Sequence, residues 1–199
     1  MRPPKSDDLS SPCVCDRSAV ASDALPEFPY HPDPLRTGSV KPSDRDCVCC
    51  GRVRGYIYAG PVYAVEELDE SLCPWCIADG SAAERFGADY TDLLNLPEGV
   101  PAEVIEQVTT RTPGFSGWQQ EHWMFHCRDG AAFLGVVGRT ELEPYPDALE
   151  MLRHEHDEYG WPQEQVEDYI ASLDKEGQPT AYLFECRHCG AQLAYSDFT

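Results

Sequence analysis

The chain has 199 residues, of which 42% are hydrophobic and 11% aromatic, so it can bury a core of its own and one domain is the default expectation. Its 35 acidic residues against 15 basic ones give a formal net charge of −20, which repels phosphate backbones and anionic membranes. Composition therefore argues against nucleic-acid binding and favours a protein partner with a basic surface.

Neither the N-terminal sequence nor any apolar run indicates secretion or membrane insertion. The first residues lack the basic start, apolar stretch and small-residue cleavage site of a signal peptide. The longest apolar run, residues 131–137, is far too short to cross a bilayer. We therefore expect a cytoplasmic protein, in which clustered cysteine pairs bind metal rather than form disulfides.

The N-terminal 24 residues are rich in Ser, Asp, Pro and Ala and show no hydrophobic period, which predicts a disordered extension. Cys13 and Cys15 lie in it and are expected to be incidental thiols. Residues 25–199 are predicted to form a single zinc-binding domain. This domain begins with a proline-rich, extended arm whose side chains are expected to pack on the core: Phe28, Tyr30, His31 and Leu35.

Two Cys-x-x-Cys pairs, Cys47/Cys50 and Cys73/Cys76, lie on either side of the span 51–72. Each such turn presents two thiolates on one side, so two turns complete the tetrahedral shell that zinc prefers. Between them, residues 55–64 predict two short strands broken at a Gly-Pro turn, the hairpin of a zinc ribbon. Cys49, inside the first turn, is expected to be a bystander.

The remaining elements predict an α+β fold, with zinc-ribbon-like β-hairpins and several amphipathic helices. Ser81 and Ser116 each stand three residues before Glu or Gln and are candidate N-caps. Helices are predicted at 81–86, 101–112, 116–127, 147–159 and 163–174. A buried strand is predicted at 132–137, and a strand, a cysteine turn and a second strand over 181–195.

Residues 141–176 concentrate the negative charge. They contain twelve acidic residues against Arg153 and Lys175, and twelve minus two is ten, half of the net charge. A charge run is most often a solvated helix face. A concentrated acidic face is also what a basic protein partner would meet, and both interpretations stay open.

A third pair, Cys186/Cys189, is followed by glycine, as the first pair is. Glycine can take a positive φ there, which lets backbone N–H groups point at the thiolates. Cys127 and the adjacent His126 are the candidate ligands that complete a second zinc site. His122, one predicted helical turn earlier, is the alternative imidazole, and Cys186/Cys189 could instead complete the first site. The expected cofactor is zinc, in one site and in a second if this set closes.

Two catalytic alternatives compete with a structural role. Cys73-Pro-Trp-Cys76 resembles the motif of a thiol redox enzyme, although no βαβ pattern surrounds it. A zinc-dependent hydrolase could use an open metal position at His126 and Cys127, with Glu121 nearby. The sequence contains no His-Glu-x-x-His, nucleophile elbow or phosphate-binding glycine loop, so a non-catalytic role with no catalytic residues is preferred.

The chain also resembles a known family, the CbrC colicin-tolerance proteins of bacteria. The resemblance covers residues 25–199 and is most specific in the run Cys-Pro-Trp-Cys-Ile-Ala-Asp-Gly-Ser at 73–81. The other matching stretches are 25–35, 37–39, 54–58, 60–61, 111–114, 117–121, 126–127 and 186–190. The resemblance implies a bacterial cytoplasmic protein linked to tolerance of a DNA-cleaving colicin. It implies no catalytic mechanism and no active-site residues.

Overall fold

A three-stranded antiparallel sheet organises the C-terminal half of the chain. Its strands lie in the order β5 (Ala132–Val137), β6 (Thr180–Glu185) and β7 (Gln192–Asp197). The computed structural model describes residues 24–93 and 96–197, without the side chains of residues 157 and 158. The predicted extension over 1–24, with Cys13 and Cys15, lies outside this part of the chain except for its last residue.

Side chains alternate between two unlike faces of this sheet, as the pleat of a strand requires. In β6, Ala181 and Leu183 lie on a face of small and aliphatic residues, whereas Tyr182 and Phe184 lie on an aromatic face. Both faces are covered, so all five residues from Thr180 to Phe184 are buried. The strands predicted at 132–137 and over 181–195 are confirmed.

Three helices cover the aliphatic face. They are α4 (Arg139–Leu142), α5 (Pro146–Glu158) and α6 (Gln163–Ala171), so the two predicted amphipathic helices are confirmed. Leu152 and Ile170 are almost completely buried in their interface with the sheet. The Arg139 N–H donates to the Leu173 carbonyl at 2.9 Å, so the helical segment leaves the sheet and returns to it at one place.

The aromatic face is covered by irregular chain and one helix. Here α3 (Ala102–Thr110) contributes Val108, and the N-terminal arm contributes Tyr30. Phe115 stacks on Phe133 with ring centroids 3.9 Å apart and belongs to a group of packed rings. The arm packs as predicted at Phe28 and Tyr30, but Leu35 is 41% exposed, so the prediction for Leu35 is wrong.

The helix predicted at 116–127 is absent, and the reason lies in where its backbone donors go. The Trp118 and Gln119 N–H groups donate to side chains of the sheet, Tyr182 Oη at 3.0 Å and Asp197 Oδ2 at 3.0 Å. In a helix capped by Ser116 these two N–H groups would lie in the first turn and be satisfied by the cap side chain, whereas here they bond to the sheet and hold the chain along it. The segment ends in a short hairpin of β3 (Phe125–His126) and β4 (Asp129–Gly130).

A second core is built from short elements before residue 93. It contains β1 (Val40–Pro42), β2 (Tyr56–Tyr58), α1 (Pro74–Ala78) and α2 (Ser81–Phe86). The predicted hairpin within 55–64 is wrong, because β2 pairs with the earlier strand β1 and Tyr63 bridges Asp89 instead. Helix α2 forms as predicted. Its N-cap is Gly80 rather than Ser81, and the Asp79 carboxylate accepts from the Ser81 N–H at 2.9 Å.

Buried polar groups join the two cores at residues 113 and 114. His31 Nδ1 lies 2.7 Å from the Pro113 carbonyl, and Thr37 Oγ1 lies 2.7 Å from Nε2. Burial lowers the pKa of His31 to about 4, so the ring is neutral and structural, as predicted. Tyr58 Oη accepts from the Gly114 N–H at 3.1 Å and donates to the Pro61 carbonyl at 2.7 Å.

The overall architecture is α+β, as predicted, with small antiparallel sheets and separate helices. Within residues 24–93 and 96–197, no helix has both the length and the apolar character that a bilayer span requires.

Gly114 allows the closest approach between the two cores, and its substitution tests their junction. A Cβ at this position would lie 1.8 Å from the Tyr90 carbonyl oxygen, so the backbone must shift. We expect Gly114→Ala to lower the free energy of unfolding by about 3 kcal/mol or more in urea denaturation. The matched control is Gly55→Ala, which has open space but a positive φ of 82° and should cost about 1 kcal/mol. Equal losses in both variants would contradict the close approach.

Candidate metal centres

The first cluster joins the two Cys-x-x-Cys pairs predicted from the sequence. The Sγ atoms of Cys47, Cys50, Cys73 and Cys76 all lie within 4.8 Å of one another. Sulfur pairs are separated by 3.9 Å (Cys47 and Cys76), 3.9 Å (Cys50 and Cys73) and 3.6 Å (Cys73 and Cys76). These distances exclude disulfides, which need about 2.05 Å. They match the edge of about 3.8 Å that a tetrahedron of Zn–S bonds near 2.3 Å would have.

The second cluster contains His126, Cys127, Cys186 and Cys189, again with all ligand atoms within 4.8 Å. The sulfurs of Cys127 and Cys189 are 3.9 Å apart. His126 Nδ1 lies 3.4 Å from each of these two sulfurs. Both clusters are therefore compatible with a metal ion.

The first and third cysteine pairs are built as the same turn. In each, the N–H of the first cysteine donates to the carbonyl five residues later, at 3.0 Å for Cys47 and 2.8 Å for Cys186. The glycine after the second cysteine donates back, at 2.7 Å from Gly51 and 2.9 Å from Gly190. These glycines have φ of 68° and 72°, the left-handed conformation expected from the sequence.

This turn directs backbone N–H groups at the first sulfur of each pair. At Cys47, the Cys73 thiol and the N–H groups of Cys49 and Cys50 lower the pKa despite burial. At Cys186, burial raises the pKa, but the N–H groups of Cys189 and His188 outweigh it and lower the pKa to about 6. The N–H groups of the turn thus favour thiolate, the form that binds metal.

The other two ligands of the first cluster come from a helix rather than a second hairpin. Cys73 is the N-cap of α1, Pro74 occupies its first turn, and Cys76 lies one turn along. The Cys73 N–H also donates to Cys47 Sγ at 3.2 Å. The cluster therefore joins a cysteine turn to a helix start, which differs from the two cysteine turns with a hairpin between them that the sequence predicted.

The other two ligands of the second cluster lie at the tight turn between β3 and β4. Cys127 and Arg128, its two central residues, both have positive φ, 51° and 61°. Such a turn normally selects Asn and Gly, because other residues are strained in this conformation by roughly 1–3 kcal/mol. The turn places Cys127 beside the pair that connects β6 and β7.

Asp129 ties this turn to the Cys186/Cys189 turn. Its carboxylate accepts from Tyr30 Oη at 2.7 Å and from Arg187 Nη1 at 2.8 Å, and His188 Nε2 lies 2.9 Å away. Burial raises the pKa of Asp129, but these bonds and the Arg187 charge outweigh it and hold the pKa below its usual range. No sequence pattern distinguishes Asp129 from the other acids of this chain, so this role could not be predicted.

The structure shows which of the candidate ligands considered from the sequence lie in each cluster and which lie outside. His122 stacks on Tyr195, with ring centroids 3.8 Å apart, and lies outside the second cluster. Cys49 Sγ lies 3.7 Å from Ser81 Oγ, outside the first. Cys186 and Cys189 group with His126 and Cys127 rather than with the first cluster. Glu121 lies in neither cluster, and its carboxylate accepts from Tyr63 Oη.

Comparisons with known proteins agree on one family. The model of the Uncharacterised protein family (UPF0167) matches residues 25–198. The chain is 55% identical over 175 residues to UPF0167 protein Mb2317 of Mycobacterium bovis and to UPF0167 protein MT2352 of Mycobacterium tuberculosis, covering 87% of this chain and 94% of each relative. It is 43% identical over 177 residues to UPF0167 protein PA1536 of Pseudomonas aeruginosa, covering 88% of this chain and 98% of that relative. No solved structure matches. The chain therefore belongs to the bacterial protein family UPF0167.

Proposed function

We propose that this chain is a non-catalytic bacterial protein of the cytoplasm whose fold is held by two zinc ions, and that its acidic helices engage a basic protein partner. The single observation that supports the zinc proposal is the grouping of eight Cys and His ligand atoms into two sets of four, each within 4.8 Å. Tetrahedral sets of sulfur and imidazole ligands are typical of zinc.

The size of the first core supports a structural role for the metal. Its strands have 3 residues each and its helices have 5 and 6 residues. Such short elements form few backbone hydrogen bonds and depend on tertiary contacts. Structural zinc binding contributes roughly 10–16 kcal/mol, compared with about 5–15 kcal/mol for the stability of a whole domain.

The catalytic alternatives have less support. A hydrolase needs a metal with an open position, but four protein ligand atoms already converge in each cluster. A thiol redox pair needs two cysteines that react with each other and with a substrate. Cys73 and Cys76 do lie near each other, with sulfurs 3.6 Å apart, but each also contacts a sulfur of the first pair at 3.9 Å, Cys50 and Cys47 respectively, as a four-ligand metal site requires.

The partner proposal is supported by the surface of the helical segment. Acidic side chains of 141–176 are exposed along it: Glu141, Glu143, Asp147, Glu150, Glu164, Glu167, Asp168, Asp174 and Glu176. Arg153 pairs with Glu167 at 2.6 Å, which offsets only one of them. The resemblance to CbrC proteins suggests a DNA-cleaving toxin as the basic partner, which an acidic face would attract by electrostatic steering.

Metal analysis tests the zinc proposal. We expect native mass spectrometry of the purified chain to show two zinc ions. Cys73→Ser and Cys76→Ser should each lose the first ion and unfold or become insoluble, because three ligands leave the site open. Cys189→Ser should lose the second ion only.

Cys49→Ser is the matched control, since Cys49 lies in the same turn with its sulfur outside the cluster. It should retain two zinc ions and the wild-type thermal midpoint. A folded, zinc-loaded double variant of Cys73 and Cys76 would overturn the proposal, as would a folded wild-type chain without metal.

Salt dependence tests the basic partner. We expect the affinity for a basic nuclease domain to fall about tenfold between 50 and 300 mM NaCl, because surface charges are screened over this range. Glu164→Gln combined with Asp168→Asn should weaken binding at low salt. The control, Glu66→Gln with Glu67→Gln, removes two exposed acids elsewhere and should bind like the wild type. Affinity independent of salt would reject the partner proposal and leave the zinc proposal intact.

A further inference from the structure

A pocket of about 530 Å³ opens beside the sheet, and none of the eight residues of the two cysteine clusters lines it. It is lined by the last turns of α5, by Trp161, by α6, by the end of β7 and by residues 119–122. Its volume lies in the range of small-molecule sites, about 300–1,000 Å³. Among the residues that the structure describes, none that lines it is Lys or Arg.

Aromatic rings form the walls of the pocket. His156 meets Trp161 at 87° with centroids 4.8 Å apart, and Trp161 meets Tyr169 at 87° with centroids 5.5 Å apart. On the opposite side, His122 stacks on Tyr195 at 3.8 Å. Rings at right angles present both faces and edges, and the electron-rich faces attract cations.

Two carboxylates add negative charge to these walls. Glu155 lines the pocket, and its Oε2 is buried without a hydrogen-bond partner. Asp197 accepts from Tyr182 Oη at 3.1 Å and from the Gln119 N–H at 3.0 Å, both neutral donors. Burial lowers the pKa of His122, so this ring is neutral near pH 7. The described lining of the pocket therefore holds acids and aromatic rings without Lys or Arg.

From these walls and carboxylates we propose that the pocket binds an alkylammonium group, supplied by a free amine or by a lysine side chain. The ammonium N–H groups donate to Glu155, whose terminal carboxylate torsion is soft enough to turn either oxygen to the ligand. The alkyl stem packs against the rings. A quaternary ammonium has no N–H to donate and leaves Oε2 unpaired, so a primary amine binds more tightly.

The protonation state of Glu155 determines how amine binding changes with pH. Burial raises the pKa of Glu155 to about 7, although the Ser196 backbone N–H lowers it. The charged carboxylate forms as pH rises through this value, so amine binding strengthens from pH 6 to pH 8. The titratable groups around Glu155 are His156 on α5, Tyr159 just after it, Tyr169 on α6, His122 in the loop, and Tyr195 and Asp197 on β7.

Titration of the whole chain with hexylammonium chloride, followed by NMR, tests the site. We expect a Kd of about 1 mM at pH 8, reasonable for a ligand of this size. Glu155→Gln keeps the shape and removes the charge, so it should weaken binding at least about tenfold and abolish the pH dependence. Tyr159→Ala should weaken it about threefold, and because Tyr159 is 71% exposed the fold should be retained.

Two controls separate this site from general charge and from apolar binding. Glu66→Gln removes an exposed acid that does not line the pocket and should leave Kd unchanged. Neutral 1-hexanol should bind about tenfold more weakly than hexylammonium. Comparison with Nα-acetyl-lysine methylamide distinguishes the two sources of the ammonium group. Tighter binding of this compound identifies a lysine side chain as the ligand. Tighter binding of hexylammonium identifies a free amine.

Equal affinity for hexanol, or unchanged affinity in Glu155→Gln, would overturn the proposal. Absence of any shift in pocket resonances would do the same. Because these titrations use no protein partner, their failure is distinct from failure of the partner or zinc proposals.

Discussion

The convergence of four ligand atoms within 4.8 Å, twice in one chain, is the constraint on which the rest of the structure depends. In the first cluster it joins segments that have too few residues to be stable alone, and in the second it joins a strained two-residue turn to the sheet. Four thiolates this close would repel one another strongly, and in the cluster without metal the neighbouring cysteines and burial raise the pKa of Cys73 and Cys76. A divalent cation relieves that repulsion. The clustered thiolates and the acidic composition of the chain therefore both favour a bound cation.

The parts of the fold that could be predicted are those specified by local chemistry. Spacing of the cysteines and the glycine after Cys50 and Cys189 determine the two similar turns, and hydrophobic periodicity determines α5, α6 and the strands of the sheet. The failures occurred where distant side chains compete for the backbone. Ser116 begins a good capping-box sequence, but Tyr182 and Asp197 take the N–H groups that a helix would use. No local pattern contains that information.

The candidate sites, like the fold, have parts that the sequence predicts and parts that it does not. All eight cluster residues are recognisable from the sequence by type and spacing, and in the structure His126, not His122, lies with the three cysteines of the second cluster. The aromatic pocket could not be anticipated, because its walls come from α5, α6, β7 and a loop that was expected to be helical. Residues such as Glu155 and Trp161 acquire their surroundings only through packing. Asp129 similarly becomes important because Tyr30 and Arg187, far apart in the chain, both reach it.

The hydrogen bond between Arg139 and Leu173 has a consequence for partial unfolding. It brings the two ends of the helical segment together, next to the paired ends of β5 and β6. The ends of the helical segment are held together by this bond and by the β5–β6 pairing. The entropy cost of closing the loop is therefore the same whether the helices are packed on the sheet or released from it. Helices α4 to α6 therefore form one contiguous segment whose two ends stay joined at the sheet, the kind of supersecondary unit in which local unfolding is often cooperative. Hydrogen exchange of such a unit would follow its own opening free energy rather than that of the whole chain.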